Sequence, residues 1–230
     1  MSHQLSLNLQ LRDDATLSSF YPGDNHQALM AVSTFAEDQG EPFLYLWGKE
    51  GVGRSHLLQA VCHAATERGL SALYLPLGTQ NELFPEFLEG TETLPLVCID
   101  DIHFIAGNRV WEEALFHLFN RIRMENGRLL MAGDLPPAKL KLGLPDLKSR
   151  LSWGVVYQLH ALTDEQKLSA LQMRASCRGL QLDKTVGRFL LNRCPRNMVE
   201  LFQTLEVLDR ASLTEQRRLT IPFVKQILGV

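Results

Sequence analysis

The chain has 230 residues, of which 45% are hydrophobic and 21% are charged. These proportions are typical of a folded globular protein and exclude an extensively disordered chain. The formal net charge of -3 also argues against a protein that holds DNA by charge alone, because nonspecific DNA binding depends on many Lys and Arg side chains that neutralise phosphates.

The first fifteen residues predict a tail rather than a targeting segment. Residues 1–14, MSHQLSLNLQLRDD, have neither a basic start nor a continuous apolar core, so we expect no secretion signal. No run of about 18 apolar residues occurs, so we expect no membrane span and a cytoplasmic protein. Residues 4–9, QLSLNL, alternate apolar and polar side chains, which fits either a short edge strand or a peptide that binds in extended form to another protein.

The pattern of residues 43–160 predicts an α/β fold. Short apolar runs alternate there with amphipathic stretches, which is typical of a parallel sheet with crossover helices. Helical spacing predicts two of these helices, at 55–68 and 110–125, which end at Gly69 and Gly127. The apolar runs predict five strands, at 43–47, 72–76, 94–100, 128–133 and 155–159.

Only helical patterns follow residue 159, and Thr163 is the predicted N-cap of the first of them. The sequence therefore predicts a tail at 1–15, an α/β domain with a five-stranded parallel sheet at 16–160, and a small all-helical domain at 161–230. The four cysteines lie far apart, with no C-x-x-C pair, so we expect buried free thiols rather than a metal site.

A glycine-rich loop, GKEGVGRS at 48–55, follows the first predicted strand and opens a helix. This is the context that a phosphate-binding loop requires. Backbone N–H groups at a helix N-terminus suit phosphates, and the Ser55 hydroxyl suits Mg²⁺. Arg54 stands where Lys is usual, so we expect nucleotide binding and leave hydrolysis open; the alternative is a glycine-rich turn without a ligand. The predicted nucleotide-binding residues are Gly48, Gly51, Val52, Gly53, Arg54, Ser55 and His56.

Two carboxylates end the third predicted strand. Asp100 suits a hydrated Mg²⁺ ion, with Ser55 as the second metal-binding residue, and Asp101 suits the polarisation of an attacking water. An apolar strand that ends in Asp is also a common way to form a turn. The position of this carboxylate pair after a phosphate-binding loop favours the metal site.

Four segments occur in one order along the chain: the loop at 48–55, CIDDIHFIAG at 98–107, MAGDLPP at 131–137 and LPDLKSRLSWG at 144–154. Together they resemble the AAA+ core of the bacterial replication initiator DnaA, and the resemblance spans nearly the whole chain. We expect no counterpart of the initiator's C-terminal helix-turn-helix domain, and in this the chain resembles the regulatory members of the family. The resemblance implies an AAA+ P-loop domain followed by a helical lid.

The resemblance adds residues to the nucleotide site. Asp134 falls in the sensor I region near the γ-phosphate, although it also suits a turn cap before two prolines. At sensor II the family's arginine is replaced by Val199, and Arg196, three residues earlier, is a candidate on the same helix face; this departure fits a preference for ADP. The residues that match the base and ribose pocket, and that also fit a plain Pro-Gly turn, are Phe20, Tyr21, Pro22 and Asn25.

Two further features are implied by the resemblance. Arg150 corresponds to the arginine finger, which in AAA+ assemblies projects into the nucleotide of a neighbour. The alternative is a surface arginine in a region that also contains Lys139, Lys141 and Lys148. The tail is similar to the hexapeptide by which bacterial proteins bind the sliding clamp of the replicative polymerase, through Gln4, Leu5, Leu7 and Leu9.

The resemblance therefore implies a regulator of DNA replication with ADP or ATP and Mg²⁺ as cofactors. Its expected partners are the initiator DnaA and the sliding clamp, and the chain is also expected to be able to self-associate. We expect no membrane binding and no sequence-specific DNA binding. The alternative is an autonomous AAA+ ATPase that acts as a helicase loader or remodeller. An origin-binding protein fits less well, because the C-terminal helices carry mixed charge.

Overall fold

The computed structural model describes residues 11–12, 14–78 and 83–229. The chain divides into two compact units: the described part of Met1–Leu17 with Asn25–Leu159, and Ser18–Asp24 with the described part of His160–Val230. The sequence alone assigned Ser18–Asp24 to the α/β domain, whereas its contacts group it with the helical unit. The tail residues Gln4, Leu5, Leu7 and Leu9 lie outside the described residues.

The first unit is built on a five-stranded sheet in which every pair of neighbours is parallel. The strands are β1 (Phe43–Trp47), β2 (Ala72–Pro76), β3 (Leu96–Asp100), β4 (Arg128–Gly133) and β5 (Val155–Gln158). Their order in the sheet is β2-β3-β4-β1-β5, which confirms the predicted fold class. The carboxyl ends of parallel strands lie at one edge, and this order places β4 between β1 and β3.

Four α-helices among the described residues accompany the sheet: α1 (His26–Ala36), α2 (Arg54–Glu67), α3 (Arg109–Met124) and α4 (Pro145–Leu151). Gly69 has a φ of 75° after α2, as predicted for the residue that ends this helix. Gly127 was predicted to end α3 in the same way, and this prediction is wrong. The residue with a left-handed conformation after α3 is Asn126, with a φ of 55°. The Gly127 N–H instead donates to the Ile122 carbonyl, 2.9 Å away.

The cysteines are all free, but only two of them fit the prediction of buried thiols. Cys62 and Cys98 are buried in the sheet-containing unit, whereas Cys177 is exposed and Cys194 is half-buried. The prediction is wrong for Cys177 because this residue is the last of its helix and does not lie on the side that packs into the core.

The described part of the second unit contains four α-helices: α5 (Asp164–Cys177), α6 (Lys184–Arg193), α7 (Met198–Glu215) and α8 (Ile221–Leu228). Thr163 is the N-cap of α5 as predicted, and it forms a capping box with Gln166. The segment Ser18–Asp24 packs on this unit, with Tyr21 against its apolar core and the Asp24 carboxylate 3.1 Å from the Gln166 amide nitrogen. In the described part of the chain, no helix combines the length and the apolar character needed to cross a membrane.

Candidate nucleotide-binding site

The predicted phosphate-binding loop connects β1 to α2. Gly51 and Gly53 have φ values of 78° and 98°, a region that glycine adopts without steric cost. A Cβ atom on Gly48 would lie 2.6 Å from the Leu159 carbonyl oxygen and 3.0 Å from the Val52 side chain. No side chain caps the N-terminus of α2, so the first N–H groups of this helix face the loop. The backbone therefore has the form that cradles an anion.

The altered basic residue of this loop is held by two contacts within the protein. Arg54 is 8% exposed. One of its terminal nitrogens donates to the Gly48 carbonyl at 2.9 Å, and the other donates to Asp101 Oδ1 at 3.1 Å. A compact ammonium could not reach both acceptors in the same way, because the fork of a guanidinium is what spans them. Arg54 thus ties the start of the loop to the second carboxylate after β3.

Asp100 lies in a buried polar cluster at the carboxyl end of β3. Its carboxylate accepts a hydrogen bond from the Tyr74 hydroxyl at 3.0 Å and one from the Asp101 N–H at 2.9 Å. Ser55 also reaches the Tyr74 hydroxyl, whose pKa is raised by burial and by the Asp100 charge. The cluster therefore brings together Ser55 and Asp100. A hydroxyl and one carboxylate fit Mg²⁺, which binds protein oxygens sparingly and takes its other ligands from phosphates and water.

Asp101, His103 and Asp134 lie close together at the ends of β3 and β4. The His103 Nδ1 atom is 3.9 Å from Asp101 Oδ1 and 3.7 Å from Asp134 Oδ1. Burial and the neighbouring Asp100 raise the pKa of Asp101, against the opposing effect of Arg54. Asp101 also has a φ of 57°, an uncommon conformation that tends to occur at functional sites. The predicted catalytic and sensor I carboxylates therefore share one histidine neighbour.

The structure gives His56 a contact that the sequence did not suggest. Its Nε2 atom is 2.9 Å from the Thr16 carbonyl oxygen, and burial lowers its pKa. Two neighbouring turns of α2 hold the same segment: Gln59 accepts from the Arg12 N–H at 2.9 Å, and His63 lies 3.0 Å from the Arg12 carbonyl. His56 is thus one of three residues that fix the segment after the tail along α2.

The predicted base-pocket residues Phe20, Tyr21 and Pro22 belong to the helical unit, while Asn25 precedes α1 and is buried. Arg196 lies in the helical unit too, where it forms an ion pair of 3.2 Å with Asp164. The expectation that Arg196 shares a helix face with Val199 is wrong. Asn197 is the N-cap of α7, so the helix begins after Arg196.

Arg150 lies in the last turn of α4 and is half-buried. Its guanidinium lies over the Trp153 ring, 5.0 Å from the ring centroid. Among the described residues it makes no ion pair and no hydrogen bond to the phosphate-binding loop. The structure therefore does not bring Arg150 into the chain's own nucleotide site.

Glu112 is a site-positioning residue that the sequence did not reveal. It is 1% exposed, and its carboxylate accepts hydrogen bonds from the N–H groups of Gly107 at 2.7 Å, Gly143 at 3.0 Å and Leu144 at 2.7 Å. These bonds join the turn after Asp101 to the start of α4, the helix that carries Arg150. Only the tertiary fold shows this, because an isolated Glu on an amphipathic helix ordinarily faces solvent.

We expect Glu112→Ala to lower the free energy of unfolding of the sheet-containing unit by about 3 kcal/mol. Three N–H groups lose a charged acceptor, and each such bond contributes roughly 1.5–3 kcal/mol, partly offset by relief from burying a carboxylate. Denaturant unfolding followed by tryptophan fluorescence measures this, because Trp47, Trp111 and Trp153 all lie in that unit. Glu113→Ala is the matched control. Within the described structure Glu113 pairs with the exposed Arg109 alone, so its loss should cost under about 0.5 kcal/mol. Equal losses for the two variants would contradict the role given to Glu112.

Four features together define a P-loop protein of the AAA+ type. They are a phosphate-binding loop after β1, paired carboxylates after β3, a polar residue after the intervening β4 and a helical unit that follows the sheet in the sequence. A family model described as the bacterial DnaA ATPase domain matches residues 11–158, and a model described as the Hda lid domain matches residues 164–228. The chain belongs to the family of the bacterial DnaA ATPase domain, as a DnaA-related AAA+ protein with an Hda-type lid.

Solved structures of related proteins share this fold. Domain III of the replication initiation protein DnaA from Thermotoga maritima has a TM-score of 0.79 at 23% identity, over 96% of this chain and 98% of that one. AMPPCP-bound DnaA from Aquifex aeolicus has a TM-score of 0.71 at 24% identity, over 90% of this chain and 71% of that one. The Holliday junction branch migration motor RuvB from Thermotoga maritima has a TM-score of 0.65 at 12% identity, over 93% and 73%.

Proposed function

We propose that this chain is a nucleotide-bound regulator that stimulates ATP hydrolysis by the initiator DnaA through Arg150, which it supplies as an arginine finger. The chain so acts as a negative regulator, an inhibitor, of replication initiation. ADP is its resting nucleotide, the cytoplasm is its compartment, and the sliding clamp on DNA is its platform. The observation that carries the proposal is the contrast between two arginines. Arg54 is committed to contacts within its own site, whereas the described contact of the Arg150 guanidinium is an exposed ring.

Support for nucleotide binding comes from the loop and from relatives. The left-handed glycines and the uncapped N-terminus of α2 present backbone N–H groups to a phosphate chain. Ser55 and Asp100 meet at the Tyr74 hydroxyl, where Mg²⁺ bound to the nucleotide would neutralise phosphate charge. Structures of DnaA with AMPPCP show that relatives with this fold bind an adenine nucleotide.

Weak hydrolysis by the chain itself follows from the pairing of Arg54 with Asp101. The carboxylate that would polarise an attacking water is instead bonded to the guanidinium at 3.1 Å. The guanidinium opposes the rise in the pKa of Asp101 that burial and Asp100 cause, and its bond occupies a carboxylate oxygen that would otherwise bind the water. The chain can therefore bind a nucleotide while the carboxylate that would catalyse its hydrolysis, Asp101, is bonded to Arg54.

Docking on the clamp is proposed for the tail. In residues 4–9, Leu5, Leu7 and Leu9 occupy alternating positions and Gln4 precedes them. An extended peptide presents alternate side chains to one surface. The segment that follows is fixed along α2 through Arg12 and Thr16. Docking would raise the local concentration of the chain near an initiator on the same DNA.

Single-turnover hydrolysis of ATP bound to DnaA tests this function. We expect the full chain with clamp-loaded DNA to raise the rate on the order of 10³-fold, the lower end of the range for an arginine supplied in trans. Replacing Leu7 and Leu9 by alanine should remove most of the stimulation at a low concentration of the chain. A high concentration of the same variant should restore the stimulation, because only docking is lost. An unchanged hydrolysis rate with the unaltered chain would refute the proposal.

The second candidate is an autonomous AAA+ ATPase, such as a helicase loader or remodeller. It is favoured by the presence of Ser55, Asp100 and Asp101 at the ends of the appropriate elements. Steady-state turnover by the isolated chain near or above about 1 s⁻¹, in the ordinary range of enzymes, would support this candidate over the regulator.

A further inference from the structure

Trp153 has two guanidinium groups over its indole ring. Trp153 is 53% exposed. The Arg150 guanidinium carbon lies 5.0 Å from the ring centroid, and that of Arg123 from α3 lies 4.0 Å from it. Both distances are within the range of roughly 6 Å over which an indole attracts a cation. One exposed aromatic side chain thus contacts cations from two different helices.

The backbone beneath this ring is tightly fixed. The Trp153 N–H donates to the Arg150 carbonyl at 3.0 Å, which closes the end of α4. A Cβ atom on the next residue, Gly154, would lie 1.9 Å from the Phe43 carbonyl oxygen, so this backbone runs directly against the start of β1. The indole also lies 6.5 Å from the buried Phe119 ring, centroid to centroid. The backbone of Trp153 is therefore held in place, although about half of the residue is exposed to solvent.

A ring holds an arginine differently from a carboxylate. An ion pair occupies the N–H donors of a guanidinium and neutralises its charge, whereas an aromatic face attracts the cation and leaves the in-plane donors unbonded. In the parts of the chain that the structure describes, the guanidinium of Arg150 has no carboxylate partner. The second cation, Arg123, adds to the positive potential at this place, which suits a polyanion such as a phosphate chain.

We propose that Trp153 is a positioning residue for Arg150. The indole restricts the arginine side chain before the partner arrives, and it does so without using the donors or the charge that meet the partner's phosphates. This inference rests on the proposed function of Arg150. It predicts that loss of the ring slows stimulated hydrolysis about tenfold, because misplacement of a catalytic group costs up to about 100-fold.

The contact itself can be measured without any partner. In ¹⁵N-arginine-labelled full chain, the Nε–H resonance of Arg150, identified by its loss in Arg150→Ala, should carry a ring-current shift. This shift should disappear in Trp153→Leu and largely persist in Trp153→Phe. An Arg150 resonance that is the same with and without the ring would overturn the inference.

The consequence is measured by single-turnover hydrolysis of DnaA-bound ATP at several concentrations of the chain. Trp153→Leu should lower the saturated rate about tenfold with the half-saturating concentration unchanged, Trp153→Phe should recover most of it, and Trp153→Leu in an Arg150→Ala background should add nothing. If Arg150→Ala abolishes stimulation but Trp153→Leu leaves the saturated rate intact or changes only the half-saturating concentration, the inference fails and the proposed function stands. If the unaltered chain gives no stimulation, the proposed function fails. If Arg150→Ala stimulates fully, the arginine-finger role of Arg150 fails and the positioning role fails with it.

Discussion

Replacing Arg150 by alanine is expected to lower the stimulated rate of ATP hydrolysis by DnaA on the order of 10³-fold. A guanidinium supplied by a neighbour stabilises the charge that develops on the transferring phosphoryl group, and alanine removes that charge entirely. The chain itself should stay folded, because Arg150 forms no ion pair within the described structure and its side chain lies over an exposed ring. Single-turnover assays with clamp-loaded DNA measure the rate.

Two variants complete this experiment. Arg150→Lys keeps the charge but loses the planar fork, so an intermediate rate is expected. Lys148→Ala removes a cation from the same helix, two residues away, and should leave the rate within about twofold, since surface charges contribute little individually. Full stimulation by Arg150→Ala would contradict the arginine-finger role of this residue. An equal loss in Lys148→Ala would show that α4 contributes general positive charge rather than one catalytic arginine.

Replacing Arg54 by alanine is expected to weaken nucleotide binding by about 100-fold. Charged hydrogen bonds contribute roughly 1.5–3 kcal/mol each, and a factor of 100 corresponds to about 2.8 kcal/mol. Alanine removes the cation at the phosphate-binding loop and leaves Asp101 beside Asp100 without its arginine partner, so the remaining carboxylates repel the phosphates. Isothermal titration with ADP and Mg²⁺ measures the affinity.

Arg54→Lys separates charge from geometry in the same assay. It should bind within about tenfold of the unaltered chain, because the charge remains while the bond that spans Gly48 and Asp101 is lost. Arg109→Ala is the surface control, since Arg109 is exposed and its ion pair is with the surface residue Glu113. Unchanged ADP affinity in Arg54→Ala would mean that the loop does not hold the phosphates in the way proposed.

The sheet could be predicted well because its signal is local. Three strands have the predicted bounds, and the other two are shorter by one or two residues. β3 begins at Leu96 rather than at residue 94, because Pro95 has no N–H to donate to a neighbouring strand. β5 ends at Gln158, although the Leu159 N–H still donates to the Trp47 carbonyl at 2.7 Å. Apolar runs between turn residues were sufficient to place these elements.

The candidate site was predictable in its motifs but not in its contacts. The strand order brings Asp100, Asp101 and Asp134 to one edge of the sheet, as the motif positions suggested. Where each side chain points depends on residues far away in sequence. The partner of Arg54 lies 47 residues further along the chain, and the bonds from Glu112 to Gly143 and Leu144 span 31 and 32 residues. Periodicity and local motifs carry no information about such pairs.

The most direct measurement of the central claim is a structure of the full chain in complex with DnaA bound to AMPPCP. We expect the Arg150 guanidinium to lie about 2.7–2.9 Å from an oxygen of the γ-phosphate in the DnaA site, the usual length of a charge-assisted hydrogen bond. A complex in which DnaA meets another surface of the chain, with Arg150 far from that phosphate, would contradict it.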